Sequence, residues 1–163
     1  MLAAAEIERR TTIVEFGPGT GAFTALIHKK LRLDQRYIGI EENSEFVDLL
    51  RRRFPDFTFV CDSVEQLQSI ATNAGIKAID AIICGLPWAS LPLVVQDRTF
   101  EAMRNLLAPG AVFCTFAYLQ GMLLPGGRSL RTRLSKEFNE VSTSHVVWLN
   151  IPPAFFYICR RSV

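Results

Sequence analysis

Gly17, Gly19 and Gly21 stand at every second position, with the acid Glu15 just before them. Glycine lets backbone come close to a ligand, and unpaired N–H groups at a following helix start face it. A second acid, Glu41, follows Gly17 by about 24 residues, near the distance at which dinucleotide-binding folds place a ribose-binding carboxylate. A third acid, Asp62, follows another apolar run. A Gly-rich turn alone identifies little. A Gly-rich turn with an acid at this distance, each after a predicted strand, specifies a cradle for a nucleotide-like ligand.

Elements must position these groups, and the pattern supplies them. Residues 12–15 suit a buried strand, and an apolar-periodic helix follows with Phe23, Leu26, Ile27 and Leu31. Strands are predicted over 11–16, 36–41, 57–61, 78–84 and 111–118, with helices over 21–30, 44–53, 63–72 and 92–107 between them. Strict alternation argues a parallel α/β sheet with helices on both faces. Pro109-Gly110 is expected to stop the last of these helices. Arg51-Arg52-Arg53 ends the second helix, where cations favour the dipole and a solvated face is the plain reading. Contact with an anionic surface is the sharper one. Beyond Tyr118 the spacing predicts a turn-rich loop over 124–128, then a helix of about eleven residues carrying Arg128, Arg131, Arg133 and Lys136. Two final strands are expected over 138–149 and 154–160, joined by Asn150-Ile151-Pro152-Pro153.

Composition narrows the class. The chain has 163 residues, 49% apolar, with net charge +2. One domain, 1–163, with a substantial core follows, and disorder is excluded. The charge is too small to imply a nucleic-acid partner. The four cysteines, Cys61, Cys84, Cys114 and Cys159, are far apart and read as small apolar residues in a reducing compartment. With only two histidines, no metal site is expected. No apolar run is long enough to cross a bilayer. The start, M-L-A-A-A-E-I-E-R-R, carries charges too soon for a signal peptide. It reads as the last turns of a helix, so the fold is expected to begin upstream, in a segment truncated or absent here. The expected location is the cytoplasm, or the inner face of the membrane as a peripheral protein.

The G-x-G-x-G turn behind Glu15 resembles motif I of class I S-adenosylmethionine-dependent methyltransferases. That resemblance implies a Rossmann-like, mostly parallel seven-stranded sheet with only the last strand antiparallel. It implies S-adenosyl-L-methionine as cofactor, held by Glu15, Gly17, Gly19, Thr20, Gly21, Glu41, Asn43, Asp62, Ser63, Val64 and Gly85. Asp62 would accept from the adenine amino group, and Ser63 and Val64 would lie against the ring. Asp62 also suits a plain helix N-cap. The loop after the fourth strand, where such enzymes meet their substrate, reads Gly85-Leu86-Pro87-Trp88. Enzymes acting on base amines often carry N/D-P-P-Y/F there, and Gly85 replaces its first residue. Leu86, Pro87, Trp88 and Tyr118 are the implied catalytic-loop residues, with Trp88 an exposed aromatic for a cation or else a core cap.

Longer stretches narrow the resemblance. G-L-P-W-A-S-L-P at 85–92, T-F-A-Y at 115–118, L-P-G-G-R at 124–128 and above all W-L-N-I-P-P-A at 148–154 are similar to the soluble bacterial phospholipid N-methyltransferases. So is I-G-I-E-E-N-S-E-F-V-D-L-L-R-R-R-F-P at 38–55. The resemblance implies methylation of the amino head group of a lipid such as phosphatidylethanolamine. Arg128 and Arg131 would meet lipid phosphate, and His145 and Asn150 the head group. His145 also reads as an ordinary strand residue, and the arginines as a solvated helix face. The alternatives are an RNA adenine dimethylating enzyme and a non-catalytic module built on the same fold.

Overall fold

The computed structural model describes residues 2–162. The ends of the predicted 1–163 domain, Met1 and Val163, lie outside the described residues. Seven strands form one sheet: β1 (Thr12–Phe16), β2 (Arg36–Glu41), β3 (Thr58–Cys61), β4 (Ile79–Cys84), β5 (Leu107–Tyr118), β6 (Glu140–Thr143) and β7 (Ala154–Arg160). Their order is β3-β2-β1-β4-β5-β7-β6. The β1, β2, β3, β4 and β5 ladders are parallel. β7 pairs antiparallel with both β5 and β6, so it alone runs against the sheet, as expected.

Six α-helices cover the two faces: α1 (Leu2–Ala5), α2 (Ala22–His28), α3 (Ser44–Arg53), α4 (Leu67–Asn73), α5 (Leu93–Arg104) and α6 (Pro125–Glu137). Alternate strand residues feed opposite cores because side chains point to opposite faces with period two. Val14 and Phe16 pack with Leu67, Phe100 and Leu130 of α4, α5 and α6. Ile13 packs with Leu2, Ile27 and Leu50 of α1, α2 and α3. Burial of each large aliphatic side chain contributes about 1.5–3 kcal/mol. All five residues of β1 are buried, as suits an interior strand paired on both sides, with β2 and β4.

Several boundaries depart from the sequence expectation. Pro109 and Gly110 do not stop a helix. α5 ends at Arg104, and β5 already starts at Leu107. The proline lies where the β4–β5 ladder shifts register, a place that tolerates its missing donor. The 124–128 stretch is no loop either, since Pro125 occupies the first turn of α6, where its fixed φ is pre-organised. A Cβ on Gly126 would lie 2.8 Å from the Ala89 carbonyl oxygen, and one on Gly127 would meet the Gly121 carbonyl. Gly126 lets α6 seat against the loop after β4, and Gly127 against the turn after β5. The predicted strand 138–149 is short, since only Glu140–Thr143 pairs continuously with β7. Residues 144–153 leave the ladder apart from one bridge between Val147 and Ala154.

The N-terminal turns, α1 and a 3-10 turn over Ile7–Arg9, pack on the core with Leu2, Ala5 and Ile7 buried. Cys84, Cys114 and Cys159 are buried free thiols, and Cys61 is an exposed one. Burial pushes the Cys84 thiol up to about 12 and the Cys114 thiol up to about 11, so both stay neutral.

Candidate functional site: a cleft at the carboxyl ends of the strands

The parallel strands end along one edge of the sheet, and a cleft of about 530 Å³ opens there. Gly17, Glu41, Asp62, Val64, Gly85, Leu86 and Pro87 all line it. The sequence therefore located its wall at four separate strand ends. Leu91, Pro92 and Val95 complete the apolar side. Sequence reasoning missed these three, because Leu91 and Pro92 lie in the extended approach to α5 and only Val95 is on the helix itself.

The turn after β1 is built by its backbone. Gly17, Gly19 and Gly21 have φ of 61°, 56° and 89°, a region that costs other residues strain. Their surroundings differ. A Cβ on Gly19 would meet nothing within 4 Å, so the turn faces open space there. A Cβ on Gly21 would lie 2.9 Å from Leu50 and 3.0 Å from Phe54. Gly21 thus serves the packing of α2 against α3. Thr20 is exposed, and its carbonyl accepts a hydrogen bond from the Arg53 guanidinium. Arg51 donates to the Phe59 carbonyl at 3.0 Å. The basic run ending α3 therefore does more than shed its charge into solvent, since Arg53 ties down the glycine turn and Arg51 the strand β3.

Glu41 is the hinge of the polar side. One carboxylate oxygen accepts the Gly19 N–H at 2.9 Å, and the other accepts the Asn43 N–H at 3.0 Å. Each carboxylate oxygen has a further lone pair, so the group retains acceptor capacity on the cleft side. Asn43 uses its own side chain to cap α3, accepting from Glu45 N–H at 2.9 Å and Phe46 N–H at 3.3 Å. It does not line the cleft. Asp62 is exposed and accepts the N–H of Ser63 at 2.7 Å. The cap of the following 3-10 turn comes from Ser63, which accepts the Glu65 N–H at 3.4 Å. Val64 is buried beneath the cleft floor.

Glu15 lies behind this wall. Its side chain is 0% exposed, on the face shared with α2. Thr24 donates to it at 2.9 Å and Tyr37 at 2.6 Å, and its other oxygen has no partner among the described residues. Burial raises its carboxyl to about 7, against the pull of those two hydrogen bonds. Its visible task is to fix the start of α2 beneath the glycine turn.

β1 and β4 come together at Gly17 and Gly85. Gly85 N–H donates to the Phe16 carbonyl at 2.7 Å. A Cβ on Gly85 would stand 2.6 Å from the Gly17 carbonyl oxygen and 3.3 Å from that of Phe16. The position where base-amine enzymes place an amide or acid has no room here for any side chain. Trp88 is not an exposed aromatic. It is 2% exposed, stacks on Phe100 with centroids 5.2 Å apart, and donates from Nε1 to Thr115 at 2.8 Å. Gln96 in turn donates to the Trp88 carbonyl at 2.8 Å. The indole thus braces the loop from below, lining the smaller cavity next to Pro87 but standing open to solvent nowhere as an exposed cation platform would.

A second, smaller cavity of about 90 Å³ lies across Pro87, walled by Phe116, Tyr118, Gly121 and Met122. Tyr118 belongs to it and not to the larger cleft. Arg128 and Arg131 line neither cavity. They stand exposed on α6. His145 is exposed beyond the end of β6, so its strand reading fails too. Asn150 is exposed and folds its amide back to donate to the Pro152 carbonyl at 2.9 Å. The four residues expected at a substrate site are thus on the surface, outside both cavities.

The open space before Gly19, the acceptor carboxylate of Glu41 and the apolar wall of Val64, Leu91 and Val95 fit an adenosine-bearing ligand. Comparison with known proteins agrees. A family described as a methyltransferase domain matches residues 13–110. An ornithine lipid N-methyltransferase of Singulisphaera acidiphila is 31% identical over 156 residues, covering 94% of this chain and 77% of that protein. A probable ribosomal RNA small subunit methyltransferase A of Methanosarcina acetivorans is 25% identical over 138 residues, covering 83% of this chain but only 46% of its own length. Among solved structures, an O-methyltransferase from Bacillus cereus in complex with SAH superposes with a TM-score of 0.76 at 16% identity, over 98% of this chain and 78% of that one. The chain belongs to the class I S-adenosylmethionine-dependent methyltransferases.

Proposed function

We propose that this methyltransferase acts on the aliphatic amine of a lipid head group, such as phosphatidylethanolamine or an ornithine lipid. One observation carries the choice of amine. The Gly17 carbonyl fills the space that a side chain at Gly85 would need. A planar nucleobase amine is therefore left without the acid or amide that would orient it. The lipid relative, similar over 94% of this chain, supports the same choice.

We assign the cofactor to the larger cleft, with the backbone of Gly17 and Gly19, the carboxylate of Glu41, and Asp62 and Val64 as its holders. When bound, S-adenosylmethionine supplies an electrophilic methyl group. The chain's part is to orient and to exclude water. Pro87 rigidifies the turn between the two cavities, and Trp88, held by Thr115 and Gln96, keeps that turn in place. The amine must arrive neutral, and no buried base faces the cleft among the described residues, so its proton leaves to water.

The test is transfer of labelled methyl from S-adenosylmethionine to phosphatidylethanolamine vesicles, to ornithine lipid vesicles and to unmodified small-subunit ribosomal RNA. Label in either lipid is the expected outcome. Label in RNA alone would replace this reading with that of the archaeal relative.

A further inference from the structure

Leu149 and Ile151 are 97% and 96% exposed, and Trp148 between Val147 and Leu149 is 70% exposed. Nothing among the described residues covers them. Contiguous exposed apolar groups of this size mark an interaction surface. A second run, Leu119, Leu123 and Leu124, is exposed beside them. The two runs are joined directly, since Leu119 N–H donates to the Pro153 carbonyl at 2.9 Å. One follows the end of β5 and the other precedes β7, so both lie at the sheet edge where the cleft opens.

Cations adjoin the patch. Leu124 leads into α6, and Arg128 N–H donates to its carbonyl at 3.0 Å. Arg128 and Arg131 lie three residues apart on that helix and are both exposed, whereas Leu130 and Leu134 are buried. Neither forms an ion pair or a side-chain hydrogen bond among the described residues, whereas Arg133 on the same helix is paired with Asp97. Exposed apolar side chains with an interfacial Trp and unpaired arginines match the chemistry of an anionic bilayer surface.

We infer that the segments 119–124 and 147–151, flanked by Arg128 and Arg131, dock the protein on an anionic phospholipid surface. The apolar side chains enter the head-group boundary and the arginines meet lipid phosphate. This surface lies away from α1, whose Leu2 and Ala5 are buried and whose Ala4 carbonyl is tied to Arg160 at the other end of β7. Docking there turns the mouth of the cleft towards head groups. The inference rests on the lipid-amine reading for the source of the substrate. Vesicle binding needs no methyl transfer, so the two fail separately.

The chain has two tryptophans, of which Trp88 is buried and Trp148 exposed, so intrinsic emission reports the patch. The whole protein is titrated with vesicles of mixed phosphatidylglycerol and phosphatidylcholine, then with phosphatidylcholine alone. Emission should shift to the blue with the anionic vesicles, and Trp148→Phe should remove the shift. In co-sedimentation, the double variant Leu149→Ser with Ile151→Ser should bind about tenfold or more weakly. Arg128→Glu with Arg131→Glu should abolish the preference for anionic lipid. Circular dichroism of each variant should match the parent, since these side chains are exposed. No emission shift in the parent protein would overturn the inference, as would vesicle binding unchanged in the leucine–isoleucine variant. A concentration-dependent dimer in light scattering that this variant abolishes would also overturn it, in favour of a second copy as occupant. Vesicle binding without labelled lipid would leave the docking surface standing and remove the substrate reading.

Discussion

The N–H of Gly19 donates to the Glu41 carboxylate at 2.9 Å, so the glycine turn after β1 is clamped to the tip of β2. The same carboxylate also holds the first residue after that strand end that caps α3, Asn43. One side chain therefore sets the shape of the turn and supplies the acceptor expected to meet a ribose.

Replacement of Glu41 should be felt twice. Glu41→Ala should weaken S-adenosylmethionine binding by about 1–3 kcal/mol, because it strands hydroxyl donors and frees two backbone donors. Glu41→Gln should lose nearly as much, since an amide NH2 must face one of those N–H groups. Titration calorimetry reads both. Parent-like affinity in the alanine variant would remove Glu41 from the site.

Gly19 separates fold from binding. The space before it is open, so Gly19→Val should leave the circular dichroism spectrum in place while costing about 1–2 kcal/mol for the left-handed backbone. Cofactor binding should vanish, because the branched side chain fills the cradle. A variant that still binds would show that the ligand lies elsewhere.

Gly85 should tolerate nothing larger. Gly85→Asn restores the residue type found in base-amine enzymes, yet its Cβ would meet the Gly17 carbonyl oxygen at 2.6 Å. It should lower stability by about 1–3 kcal/mol, as overpacking does. It should also weaken cofactor binding by moving Gly17, and it should gain no activity on adenine. Thermal melting and calorimetry decide the point.

Glu15 should make stability depend on pH in an unusual direction. Burial raises its carboxyl from 4.5 to about 7 in the folded protein. Between those values the native state keeps a proton that the unfolded chain gives up. Its contribution is thus fully present below about 4.5 and lost as pH rises through about 7, a difference of roughly 3 kcal/mol. Glu15→Gln, neutral at every pH, should flatten the profile and leave the variant more stable than the parent at pH 8. Urea denaturation at pH 5 and pH 8 measures this. Parallel profiles for parent and variant would show that Glu15 is ionised in the fold.

The sequence by itself determined the architecture and the cofactor. Alternation of strand and helix is a local pattern, and β2 and α3 fall on the predicted residues because their periodicity and caps are complete within each segment. Gly17, Glu41 and Asp62 converge because parallel strands must end on one edge. Only the tertiary structure decided what each group is free to do. Trp88 is a brace and not a cation platform, because Thr115 and Phe100 reach it from distant segments. Asn43 is engaged by α3, which it begins, and Gly21 by the packing of α2 against that same helix. Gly85 is small because the Gly17 carbonyl approaches it across the sheet. The exposure of Trp148 and Leu149 was equally hidden, since an apolar run reads as a strand until pairing fails to cover it. Local spacing fixes which face a residue takes, whereas long-range packing fixes whether that face is filled.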